Sequence, residues 1–144
     1  MITPSEIREN LNRVEDRIGA AAARAGRNPD EITVIAVGKT HSADVIVPAA
    51  EAGVVHFGES RIQEAAEKIP ALKAKNLTWH LIGHLQRNKA GDAAELFDLF
   101  HALDSKRLAK RLQQQLDKVD RDTLPVFIQV NVSGEESKYG LEPA

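Results

Sequence analysis

The 144-residue sequence contains no cysteine. Disulfides, thiolate nucleophiles and cysteine-based zinc sites are thereby excluded. No apolar run approaches the ~20 residues that a membrane-spanning helix needs. The N-terminal segment lacks the basic stretch and apolar core of a secretory signal, so the expectation is a cytoplasmic protein. Neither sign of charge dominates. The formal net charge of −2 gives no reason to expect nucleic acid or an anionic membrane as a partner. GxGxxG, a GxSxG elbow and paired-acid motifs are missing as well. What remains is 42% hydrophobic and 28% charged, the composition of a soluble globular chain. Its length suits one domain, taken as residues 1–144.

The local signals are orderly. Thr3 and Glu6 form a capping-box pattern with Pro4 at the first helical position. Ile7, Leu11, Val14 and Ile18 follow at helical spacing, and Gly26 with the Arg27-Asn28-Pro29 turn ends the helix. Residues 32–37 are a nearly continuous β-branched run, which predicts a strand buried on both faces. Further strands are expected at 54–57, 78–82, 99–102 and 126–132. Between them lie helices from Ser42 to Ala52, Ser60 to Ile69 with Pro70 as its stop, and Asn88 to Leu96. A fourth, capped by Asp104 or Ser105, carries Leu108, Leu112 and Leu116.

The order is one helix, then a repeated strand–helix unit recurring about every 21 to 27 residues. Such repeats imply parallel strands joined by right-handed crossovers, in a doubly wound sheet or a (β/α)8 barrel. Eight units of this period plus the leading helix would need roughly 210 residues. For a barrel, about three units are therefore wanting after the fifth strand. The chain then reads either as the N-terminal part of a barrel domain or as an open five-stranded sheet. An open sheet would expose two strand edges and an inner face, and should self-associate.

Parallel α/β proteins place their sites at the C-terminal ends of strands. Gly38, Lys39 and Thr40 follow the first strand, and Gly58, Glu59, Ser60 and Arg61 the second. Gly83, His84, Leu85, Gln86, Arg87 and Asn88 follow the third, Asp104 the fourth, and Asn131, Ser133 and Gly134 end the fifth. Lys39 is the sharpest of these. In the mouth of a barrel its amine would be desolvated and its ammonium disfavoured, and a neutral amine attacks an aldehyde. Gly38-Lys39-Thr40 also looks like the tail of a phosphate-binding loop, but the position that needs the first glycine is Thr33, inside the strand. His80 and His84 lie in a strand and its exit rather than on one helix, which favours structural or substrate contact over metal binding. Asp104 reads equally as helix cap or site residue. Lys106, Arg107, Lys110 and Arg111 read as a solvated helix face.

Several strings together carry a family resemblance. They are Ala36-Val37-Gly38-Lys39-Thr40, Phe57-Gly58-Glu59-Ser60-Arg61 with Gln63-Glu64, and Trp79-His80-Leu81-Ile82-Gly83-His84-Leu85-Gln86 with Asn88-Lys89. His101-Ala102-Leu103-Asp104, and Gln129-Val130-Asn131-Val132 with Glu136, Lys138 and Gly140, complete them. In this order and spacing the chain resembles the YggS/PROSC family of pyridoxal 5′-phosphate (PLP) homeostasis proteins, over the N-terminal three-fifths of a typical member. The resemblance implies a single (β/α)8 TIM barrel of the alanine racemase N-terminal domain type, fold-type III, with about five βα units in this chain. It implies PLP as cofactor, held as a Schiff base on Lys39, with Ser60, His80, Gly83, Leu85 and Asn131 as cofactor-binding residues. It implies no catalytic residue and no metal. The family pattern usually has Ser at Gly38 and Asn at Ser60. It also takes its phosphate contacts from later strands, so weak PLP affinity is expected of these 144 residues.

The implied function is non-catalytic: PLP (vitamin B6) and amino-acid homeostasis in the cytoplasm, with PLP-dependent apoenzymes as candidate recipients. Members are mostly monomeric. The alternative is a PLP-dependent racemase-like enzyme, which would need a second acid/base on the opposite cofactor face that nothing here supplies. A third reading is a Schiff-base lyase or aldolase using Lys39 without PLP.

Overall fold

The computed structural model describes residues 2–144, the side chain of Ala74 apart. Helix α1, Pro4–Arg24, opens with the expected reciprocal cap. The Thr3 hydroxyl accepts from the Glu6 amide, and the Glu6 carboxylate accepts from the Thr3 amide at 2.8 Å. Four strand–helix steps and a fifth strand follow: β1 Ala36–Val37, α2 Ala43–Glu51, β2 His56–Glu59, α3 Ile62–Ala71, β3 Thr78–Leu81, α4 Ala90–Leu96, β4 Leu99–Leu103, α5 Lys106–Lys118 and β5 Val126–Ile128.

All strand pairs are parallel, and the order across the sheet is β1-β2-β3-β4-β5. This consecutive order decides between the two architectures. A doubly wound sheet reverses direction at a switch point, whereas a barrel never does. Right-handed crossovers all running one way put every connecting helix on the same face. The fold is thus an α/β sheet of barrel type with five parallel strands, the first four each followed by a helix. Phe57, Trp79, Leu81, Phe100 and Ala102 of the strands meet Ile46, Ile62, Ala65, Ile69, Ala93, Leu108 and Leu112 of the helices in one continuous core. Each large side chain buried there contributes roughly 1.5–3 kcal/mol.

The opposite face, the barrel interior, is open. Val37 is 47% exposed and Phe127 57%. This corrects the expectation of a first strand buried on both faces. Strand β1 is an edge of only two residues, and residues 32–35 run outside the ladder. Strand β2 begins two residues later than expected because the end of α2 consumes the chain. Gly53 and Val54 donate back to the carbonyls of Ala50 and Ala49, with Gly53 at φ +97°. Pro70 lies inside the last turn of α3 rather than stopping it. Strand β5 ends at Ile128, not 132. Beyond it the chain folds on itself: Leu141 donates to the Gln129 carbonyl and Asn131 to the Leu141 carbonyl. Gly140 makes that closure possible. It adopts φ +132°, and a Cβ there would lie 2.5 Å from the Asn131 nitrogen.

Candidate functional site

The turn after β1 is anchored from the helix layer. The amide of Gly38 donates to the Gly58 carbonyl, continuing the ladder. A Cβ added to Gly38 would meet Ile46 and Glu59, so this residue faces the helices. Strand alternation then puts Val37 on the inner face, and Lys39 follows in the turn just past the end of β1. Lys39 is exposed there, and its side chain joins no hydrogen bond or ion pair among the described residues. The expected enclosure of its amine is not found, because the open inner face leaves the mouth in contact with water.

Behind the turn sits a buried cluster. Lys68 of α3, 8% exposed, places its Nζ 2.9 Å from both the Gly38 carbonyl and Glu59 Oε1. The same nitrogen is 3.6 Å from Glu64 Oε2, which accepts from the Thr40 amide at 3.0 Å. That hydrogen bond, with help from Lys68 and Arg61, holds the Glu64 carboxyl below the ordinary carboxylate range. Glu59 is fully buried, and its second oxygen, Oε2, has no partner.

The inner face carries a ladder of three imidazoles, one each from β2, β3 and β4. His56 Nδ1 is 3.0 Å from His80 Nε2, and His80 Nδ1 is 2.8 Å from His101 Nε2. The Phe127 ring lies 4.9 Å from that of His101. Burial, and then the neighbouring imidazoles, push His80 down to about 4 against a weaker opposing pull from Asp98. Burial also lowers His101. Around neutral pH the middle of the ladder is therefore uncharged, a tautomer in which His80 donates to one neighbouring ring and accepts from the other.

The remaining candidates divide. Ser60 and Gly83 adjoin at the ends of β2 and β3. A Cβ on Gly83 would be 2.3 Å from the Ser60 carbonyl, so glycine there permits the two backbones to touch. His80 is 3% exposed and has both ring nitrogens committed to the ladder, so it offers a ligand no free polar atom. Leu85 is 2% exposed and belongs to the core, so its side chain is no cofactor contact. The Asn131 amide organises its own loop, donating to the Glu135 carbonyl and accepting from Ser133 and the Gly134 amide. Ser105, not Asp104, caps α5. Asp104 instead lies 3.8 Å from His84, whose ring stacks on Tyr139 with centroids 3.5 Å apart.

Sequence reasoning passed over Lys68. Ile62, Ala65 and Ile69 mark the buried stripe of α3, and Lys68 falls within it, a signal that was present in the pattern. A cleft of about 670 Å³ between α1 and the N-terminal ends of β1 and β2 lies at the other end of the strands and, of these groups, is lined only by His56.

The family profile described as alanine racemase, N-terminal domain, matches residues 2–144. The pyridoxal phosphate homeostasis protein of Escherichia coli K12 is 45% identical over 143 residues, covering 97% of this chain and 61% of that protein. The protein of the same name from Haemophilus influenzae is 40% identical over 139 residues, covering 95% and 58%. The chain thus spans about three-fifths of the length of these relatives. Among solved structures, PipY of Synechococcus elongatus with PLP bound superposes at a TM-score of 0.72 with 39% identity, over 88% of this chain and 58% of that one. A protein of unknown function from Bifidobacterium adolescentis superposes at 0.84 with 34% identity, over 97% and 60%.

Proposed function

The chain belongs to the alanine racemase N-terminal domain family, and on that premise we propose that it is a non-catalytic PLP-binding protein of vitamin B6 and amino-acid homeostasis, holding the cofactor covalently on Lys39. One observation carries the reading. Lys39 is exposed, with no hydrogen bond or ion pair among the described residues, in the turn at the C-terminal end of β1, where barrel folds place their chemistry.

The residues fit the aldehyde end of such a ligand. Bound there, PLP supplies an electrophilic carbonyl carbon for a primary amine and a ring able to delocalise electrons. The protein's own part is positional. The Gly38 carbonyl and Thr40 amide are gripped from the helix layer, so Lys39 starts from a fixed main chain. Ser60 and Gly83 form the neighbouring rim through their touching backbones. His80, uncharged, gives the inner face a polar wall without a competing cation. PLP-dependent apoenzymes are the proposed recipients, in the cytoplasm.

The test is a visible spectrum after adding PLP to the wild type and to Lys39→Ala, followed by borohydride reduction and peptide mapping. The proposal expects a new band and a label on Lys39, both lost in the variant. Label on other lysines with the spectrum unchanged in Lys39→Ala would refute it, and turnover of alanine enantiomers would move the reading to an enzyme.

A further inference from the structure

The buried cluster on α3 is a costly arrangement. Removing an ion pair from water costs several kcal/mol per ion, and an apolar pair of similar volume is often at least as stable. The Glu59–Lys68 pair is almost wholly buried and still leaves Glu59 Oε2 without a partner. Stability alone does not account for it, but its placement suggests a role.

The ammonium of Lys68 holds the Gly38 carbonyl, and Glu64 holds the Thr40 amide. These two groups are the last main-chain acceptor before Lys39 and the first donor after it. One helix thus takes hold of the chain on both sides of a single residue. The grip is needed because Thr40 adopts φ +67°, a left-handed conformation that a β-branched residue rarely takes and that costs about 1–3 kcal/mol. Without Glu64 the turn would relax toward an ordinary φ, and the Lys39 side chain would swing with it. Lys68 Nζ is buried and donates to Glu59 and to the Gly38 carbonyl, so it is held within the helix layer, away from an aldehyde approaching Lys39.

We propose that Lys68 and Glu64 are positioning residues that clamp the main chain on either side of Lys39 and so set its reactivity toward an aldehyde ligand. The inference deepens the PLP reading and rests on Lys39 as the attachment point.

The experiment has two readouts on the full 144-residue chain. Hydrogen–deuterium exchange of peptides covering residues 36–42 is measured without ligand. The rate of borohydride-trapped labelling at Lys39 is measured with added PLP. Glu64→Leu removes the acceptor for Thr40, Glu64→Gln restores one of the same shape, and Lys68→Met removes the ammonium. The clamp predicts faster exchange in 36–42 and about tenfold slower labelling for Glu64→Leu and Lys68→Met, with Glu64→Gln near wild type. Should Lys68→Met fail to fold, the partly exposed Glu64 pair decides alone. Wild-type exchange and labelling in Glu64→Leu would overturn the proposal. A wild type that takes no label at Lys39 would instead sink the PLP reading, and the exchange of residues 36–42 would still decide the clamp.

Discussion

Replacing Gly38 by serine should stabilise the protein relative to alanine at the same site, for a reason visible in the buried cluster. A Cβ at position 38 would lie 2.8 Å from Ile46 Cδ1 and 3.0 Å from Glu59 Oε1. The Ile46 tip must therefore turn aside, at about 0.5–1.5 kcal/mol. Both variants bear that cost, and both gain about 0.4–1 kcal/mol from a stiffer unfolded chain. They differ in the hydroxyl. Glu59 Oε2 is buried with no donor, a defect worth about 1–3 kcal/mol. A serine hydroxyl beside that carboxylate can donate to it, and alanine cannot. Gly38→Ser should thus exceed Gly38→Ala by about 1–2 kcal/mol in urea unfolding. Equal midpoints, or a more stable alanine variant, would refute the claim that the orphaned oxygen can be reached from position 38. The family resemblance points the same way, since serine is the usual residue there.

The imidazole ladder makes stability depend on pH. His80 titrates near 4 in the folded chain, below its ordinary 6.5, so the unfolded state binds the extra proton first. Stability should be full above about pH 6.5 and fall toward pH 4, by no more than about 1.4 kcal/mol per pH unit from this group. Urea unfolding at pH 7.5 and 5 should show the drop, and His80→Asn should flatten it; a flat wild-type profile would count against the ladder. Gly140→Ala should loosen the loop after β5, seen as faster hydrogen exchange in residues 129–141, because a Cβ there overlaps the Asn131 backbone. The family resemblance implies phosphate contacts from strands beyond the fifth. Pyridoxal and PLP should therefore label Lys39 at similar rates, and a PLP advantage beyond tenfold, about 1.4 kcal/mol, would reveal a phosphate cradle within residues 2–144.

The order of elements and the position of Lys39 were legible because they rest on local signals. Capping residues, helical stripes and β-branched runs act within a few positions of each other. Strand limits were less so. The end of α2 took Gly53 and Val54, and β5 yielded its last residues to a loop closed by Gly140. Both are competitions between hydrogen bonds that composition does not weigh. At the site, the distinction between Leu85 as contact and Leu85 as core depended on which way one side chain turned. The partnership of His56, His80 and His101 depended on strand register, which pairs Gly58 with His80 and His80 with Leu99. Lys68 was hidden because charge suggests solvent, although its phase on α3 said otherwise.

Strand order that follows chain order has a consequence for how the molecule comes apart. Each βα unit touches chiefly its neighbours, so cohesion is passed along a row, as in a repeat protein. The units at the two ends have one neighbour, and the middle ones have two. Fraying should begin at β1 and β5 and move inward, leaving β3 protected longest. Lys39 stands on the outermost unit of that row. A ligand that tied it across the inner face would grip the loosest link, and would firm up far more of the chain than it touched.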